Sequence, residues 1–178
     1  MSTITKEVAM STIDLPASDL YDLLTGAMVA VDKSKGGVEK LAGVYLSVSN
    51  GKLIAKATDR YRLVIGEVSI EGDDISEIMV NHKDIKRITD ALKANKYFGI
   101  VRIYQLGDTL TLNIASNEIT SNTLVITINT GVNFPPTDHL FAKEGDAIKS
   151  IAINGDYLGS FAKVPSNSKD SQLNLEFT

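Results

Sequence analysis

The chain has 178 residues, 43% of them apolar and 22% charged, with 18 Lys and Arg against 22 Asp and Glu. That is material for one sizeable core or one and a half smaller ones, and the net charge of −4 argues against a protein that coats nucleic acid over its whole surface. No apolar run approaches the roughly 18 residues of a membrane span, Met1–Met10 carries no apolar signal core, and the absence of cysteine excludes disulfides and thiolate metal sites and fits a reducing compartment.

In chain order, the spacing of Leu20, Leu23, Leu24, Met28 and Val31 predicts a helix over Ala17–Val31, with Pro16 near its start. Alternation then predicts strands over 44–49 and 52–57, joined by a tight hairpin at Asn50-Gly51. A polar turn around Thr58 and Asp59 leads into a third strand, Tyr61–Val68. Ile85, Ile88, Ala91 and Leu92 fall on one face of a helix over Asn81–Lys96, with Asn81 as its N-cap. Three more strands follow at Gly99–Tyr104, Thr109–Ile114 and Thr123–Asn129, with turns at Leu106-Gly-Asp-Thr and Ser116-Asn-Glu.

The order strand, helix, several strands occurs twice, opening at Ile13-Asp-Leu-Pro and Ile78-Met-Val-Asn. A third opening, Ile151-Ala-Ile-Asn-Gly-Asp-Tyr-Leu, is followed by one strand, Gln172–Phe177. Each unit must lay its helix across a sheet face to bury the apolar stripe. The fold class expected is therefore α+β, with both helices on one side of antiparallel sheets and their polar faces outward.

On the second helix five basic residues, Lys83, Lys86, Arg87, Lys93 and Lys96, stand against two acidic ones, Asp84 and Asp90. Such a face suits phosphate contact that reads no bases; it equally suits a solvated helix surface. The first helix has the opposite balance, with Asp19, Asp22 and Asp32 against Lys33 and Lys35. His82 and His139 have no ligand spacing, Asp73-Asp74 reads as a solvated loop pair, and neither a Gly-rich phosphate loop nor a Gly-x-Ser-x-Gly elbow occurs. No catalytic residue, metal or cofactor is expected.

Ala57-Thr-Asp-Arg-Tyr-Arg-Leu resembles the Ala-Thr-Asp-Gly-His-Arg-Leu signature of bacterial sliding clamps, the beta subunits of DNA polymerase III. Leu41-Ala-Gly-Val-Tyr-Leu-Ser-Val, Asn50-Gly-Lys-Leu, Ile78–Leu92, Leu110–Asn129 and Phe134-Pro135 are similar to further landmarks of one clamp domain, the middle one, in the correct order. The resemblance implies the DNA-clamp fold. It implies a tail at 1–9, one complete domain at 10–143 with half-repeats at about 11–76 and 77–143, and the start of a further half-domain at 147–178. It also implies a cytoplasmic, non-enzymatic processivity factor. As an oligomeric ring such a factor encircles duplex DNA, tethers DNA polymerase and other clamp-binding proteins through short linear motifs, and is served by a clamp loader.

On that resemblance Lys83, Lys86, Arg87 and Lys93 are the DNA-contacting residues. Leu41, Thr58, Arg60, Tyr61, Arg62, Leu63, Pro135, His139 and Leu140 form the partner-peptide groove, with Leu41, Leu63, Pro135 and Leu140 as apolar walls and Thr58 and Arg62 as polar orienters. Alone, Thr58 and Asp59 fit turn chemistry as well, and Leu63 fits core packing. The chain departs from the pattern at Arg60 (Gly in the family), at Tyr61 (His), and across Pro135-Pro136-Thr137-Asp138. Three half-domains where a bacterial clamp has six leave several readings open: a fragment of a longer clamp, a phage-like short clamp closing its ring with four copies, or a non-ring interaction module that binds replication proteins.

Overall fold

The computed structural model describes residues 11–34, 36–94, 99–115, 121–137 and 153–165. The Ser116-Asn-Glu turn, Lys96, His139, Leu140 and the Gln172–Phe177 strand lie outside the described residues.

Strand β1 (Ser11–Pro16) runs into helix α1 (Ala17–Ala27), then β2 (Gly43–Ser49), β3 (Lys52–Thr58) and β4 (Leu63–Ser69). A two-residue strand, β5 (Glu71–Gly72), precedes β6 (Ile75–Asn81), helix α2 (His82–Lys93), and β7 (Ile100–Leu106), β8 (Thr109–Ala115) and β9 (Ser121–Thr127). A last helix, α3, spans Gly155–Phe161.

Each half gives its opening strand to the other half's sheet. One antiparallel sheet has the order β4-β3-β2-β6 and the second the order β5-β1-β7-β8-β9. Thus β6, which leads into α2, pairs with β2 of the first half, while β1 pairs with β7 of the second, Ile13 facing Ile103. One continuous core results. Ile13, Leu15, Leu20 and Leu24 pack with Val44, Leu46, Ile85, Ile88, Leu92, Leu110, Leu112 and Ile114, all at most 4% exposed. The alternation of β8, with Leu110, Leu112 and Ile114 inward, is the period-2 pattern that buries one sheet face.

Local chemistry explains the boundaries. Asn50 and Gly51 both take positive φ (54° and 69°), the geometry of the tight hairpin turn the dipeptide favours. Asn81 caps α2 by accepting the Lys83 N–H at 3.0 Å. The first helix stops short of the expected Val31. After Ala27 the chain tightens into a 3-10 turn over Met28–Ala30, and Val31 turns extended so that the Asp32 N–H reaches the Leu41 carbonyl at 2.9 Å. The second helix likewise ends at Lys93. Strand β5 has no apolar signal of its own; a Cβ on Gly72 would overlap the Thr12 carbonyl oxygen, so only glycine allows this edge pairing. Asp73, expected in a solvated loop, accepts the Thr12 N–H at 3.0 Å and secures that edge.

Candidate functional site

The third strand begins at Leu63 rather than Tyr61, because the four residues before it form a closed turn. The Thr58 hydroxyl donates to the Arg62 carbonyl at 2.7 Å and accepts the Arg60 N–H at 3.2 Å. Asp59 Oδ1 accepts the N–H groups of Tyr61 and Arg62 at 3.0 and 2.8 Å, and Asp59 Oδ2 takes the Arg62 guanidinium through two bonds of 2.9 and 2.6 Å. Burial pushes the Asp59 carboxyl up, but these side-chain and backbone hydrogen bonds outweigh it and hold the pKa below the ordinary 3.8. Arg60 has φ 80°, the left-handed conformation glycine favours. The turn therefore keeps a glycine-type backbone with an arginine in it.

The turn does not stand free. The Tyr61 and Tyr157 rings stack with centroids 5.9 Å apart, and the Arg62 guanidinium lies 5.0 Å from the Tyr157 centroid. Arg62 also donates to the Ser160 hydroxyl at 2.9 Å. Helix α3, capped by Asn154 as α2 is by Asn81, thus docks on the turn although nearly one hundred positions separate Arg62 and Ser160. Tyr157 and Ser160 were not among the expected site residues. The repeated strand-to-helix opening at Asn154 marks α3 in the sequence, but no local pattern says what α3 touches.

Phe134 lies on the outer face of the β4-β3-β2-β6 sheet, away from the core. It meets Tyr45 edge-on at 5.1 Å, sits under the Lys56 ammonium at 5.7 Å, and donates its N–H to Glu77 Oε1 at 2.7 Å. Tyr45, covered there, donates to the Lys40 carbonyl; burial and then the charge of Glu77 push its phenol up to about 12, so it stays neutral. Lys56 and Thr58 share one face of β3, and Thr58 pairs with Leu63, so Phe134 and the end of the turn occupy the same side of the sheet.

Of the expected groove residues, Arg60 and Tyr61 are exposed, Arg62, Leu63 and Pro135 are half-buried, and Thr58 is buried. Leu41 is 6% exposed and is not part of the continuous core. The polar groups of Thr58 and Arg62 are used within the turn and by α3. Two clefts border this region. One, of about 260 Å³, follows β4 and is lined by Leu23, Val64 and Ile65 with Val164 and Pro165. The other, of about 570 Å³, lies between the end of α1, the turn and α3. Of the expected groove residues that are described, only Arg62 lines either cleft; Leu41, Thr58, Arg60, Tyr61, Leu63 and Pro135 do not.

Helix α2 lies beside α1 with its polar side outward. Lys83, Lys86, Arg87 and Lys93 are all exposed. Lys86 pairs with Asp90 at 2.5 Å and Arg87 with Asp84 at 2.7 Å, so half of the basic set is neutralised within the helix. Lys83 and Lys93 have no ion-pair partner among the described residues. His82 Nδ1 lies 2.9 Å from the Ala42 carbonyl oxygen and so carries the hydrogen, fixing the ring to the residue just ahead of β2. Among the described residues no group of three or more His, Asp or Glu could hold a metal, and no helix is long and apolar enough to cross a membrane.

Strand exchange between halves, with two adjacent helices and two antiparallel sheets, is the fold of DNA sliding clamps. The chain is similar to the DNA polymerase III subunit beta of Pseudomonas aeruginosa (21% identity, TM-score 0.63, covering 82% of this chain and 38% of that one). It is also similar to the DNA polymerase sliding clamp of Bacillus subtilis (19%, 0.61, 81% and 36%) and the DNA polymerase III beta subunit of Thermotoga maritima (22%, 0.53, 82% and 34%). The chain thus spans little more than a third of the length of these proteins. No curated protein matches it. The model of the family described as DNA polymerase III beta subunit, central domain, matches residues 14–129, and the chain belongs to that family.

Proposed function

We propose that this chain is a sliding-clamp-like processivity factor. It encircles duplex DNA as an oligomeric ring in the cytoplasm and tethers a DNA polymerase and other partners by short apolar peptides; a clamp loader would open the ring. Residues 10–143 form one clamp domain, and 147–178 begin a further half-domain. The reading needs neither a catalytic residue nor a cofactor.

The observation that carries the proposal is the separation of two surfaces. The basic side of α2 faces outward beside α1, whereas the turn at 58–63 and Phe134-Pro135 lie on the outer face of the sheet. One surface can meet phosphates while the other holds a peptide. Lys83, Lys86, Arg87 and Lys93 are the DNA contacts. Leu41, Leu63, Tyr61, Arg60 and Pro135 line the peptide groove, with His139 and Leu140 following in sequence, while Thr58 and Arg62 shape the turn. A second reading, a clamp-fold interaction module that does not encircle DNA, is favoured by Asp19 and Asp22 on α1, beside the basic helix.

Binding of a synthetic peptide with Leu and Phe anchors tests the groove. Leu63→Lys should weaken it by about 2 kcal/mol or more, the loss typical of a central apolar anchor. Unchanged affinity, with the fold intact by circular dichroism, would move the groove elsewhere.

A further inference from the structure

The 570 Å³ cleft between the end of α1, the turn and α3 has an apolar floor and a cationic rim. Met28, Val29 and Val31 form the floor; Lys33, Arg62 and Lys163 stand at the rim with Asp32 and Asp59. Asp59, and one oxygen of Asp32, are engaged within the chain. Asp59 is held by Arg62, and Asp32 Oδ1 is turned back onto the N–H and hydroxyl of Ser34 at 2.9 and 2.5 Å. That leaves the ammonium groups of Lys33 and Lys163 at one cleft with no carboxylate partner among the described residues. Desolvation first, then the charges of Arg62 and Lys163, lower the Lys33 pKa from its ordinary 10.5. Two like charges sharing a concave, partly dry surface are unfavourable until an anion joins them.

We infer that this cleft is an acidic subsite, in which Lys33 and Lys163 receive a carboxylate of the partner peptide next to its apolar anchor. The inference rests on the proposed groove at the turn and names the chemistry its partner must have. Helix α3 and the residues just after it are part of the subsite, since Ser160 and Lys163 supply one wall and Tyr157 and Ser160 fix that wall to Arg62. The apolar floor selects peptides in which acidic and apolar residues alternate closely, rather than free inorganic anions.

Titration calorimetry with two synthetic peptides, Leu-Phe-Asp-Asp and Leu-Phe-Asn-Asn with blocked ends, tests the subsite. The acidic peptide should bind about fivefold to tenfold more tightly in low salt, a preference worth two partly screened charge pairs, and the preference should shrink in high salt. The double variant Lys33→Gln, Lys163→Gln should lose the preference and keep its affinity for the neutral peptide. Equal affinities for the unmodified chain, or a preference that survives in the double variant, would overturn the subsite. Leu63→Lys should weaken both peptides alike; if it weakens neither, the groove reading fails on its own. Triglutamate, which has no apolar anchor, gives an independent arm: it should raise the Lys33 pKa measured by amine NMR, and an unchanged titration would overturn the subsite whatever the groove does.

Discussion

Arg60 carries a conformational cost that its neighbours sustain. A non-glycine residue at φ 80° is disfavoured by roughly 1–2 kcal/mol, and here the Thr58 hydroxyl and the Asp59 carboxylate hold the turn closed around it. Arg60→Gly should therefore raise stability by about 1 kcal/mol in denaturant unfolding, less whatever entropy the glycine adds to the unfolded chain. A destabilised Arg60→Gly would mean that the arginine makes compensating contacts. Asp59 adds a pH signature. Its pKa is depressed on folding, so its contribution is present above the ordinary value of 3.8 and fades as pH falls through the lower folded value. Asp59→Asn should lose about 1 kcal/mol at neutral pH, and the gap from the unmodified chain should close in acid; a gap independent of pH would show that Asp59 acts through shape alone.

Among the elements, α2 has the most direct functional reading. Lys86 and Arg87 are tied to Asp90 and Asp84, so reversing them disturbs the helix as well as any phosphate contact. Lys83 and Lys93 are the cleaner probes. The double variant Lys83→Glu, Lys93→Glu should weaken binding to duplex DNA at low salt and reduce the slope of log affinity against log salt by about 2. An unchanged slope would remove α2 from the DNA surface. The sequence made some elements plain and hid others, for physical reasons. Asn50-Gly51 and the Asn81 cap are local chemistry and are visible in a few residues. The end of α1 is not, because Met28 and Val31 keep the apolar spacing through a 3-10 turn. Strand β5 rests on close approach at Gly72, and the docking of Tyr157 on Tyr61 joins residues too far apart for any periodicity to link.

For the whole molecule, strand exchange decides how the halves depend on one another. Alternation in β1 and β6 tells which face is buried but not which sheet receives the strand, so this part of the architecture emerges only in three dimensions. Its consequence is cooperativity. Leu15, in β1, is 2% exposed and lies in the sheet of the second half, so Leu15→Ala should cost about 3 kcal/mol and lower the single unfolding transition of both halves together. Two separated transitions would contradict a shared core. Among the described residues, β4 and β6 end one sheet and β5 and β9 end the other.

Encirclement of DNA is tested most directly by topology. The chain would be mixed with nicked circular duplex DNA so that subunits assemble around it, freed of unbound protein by gel filtration at physiological salt, and the circle then cut once with a restriction enzyme. A ring predicts retention on the intact circle and loss within minutes of cutting, as the protein slides off the new ends. Retention unaffected by cutting, or none on the circle at all, would contradict the account.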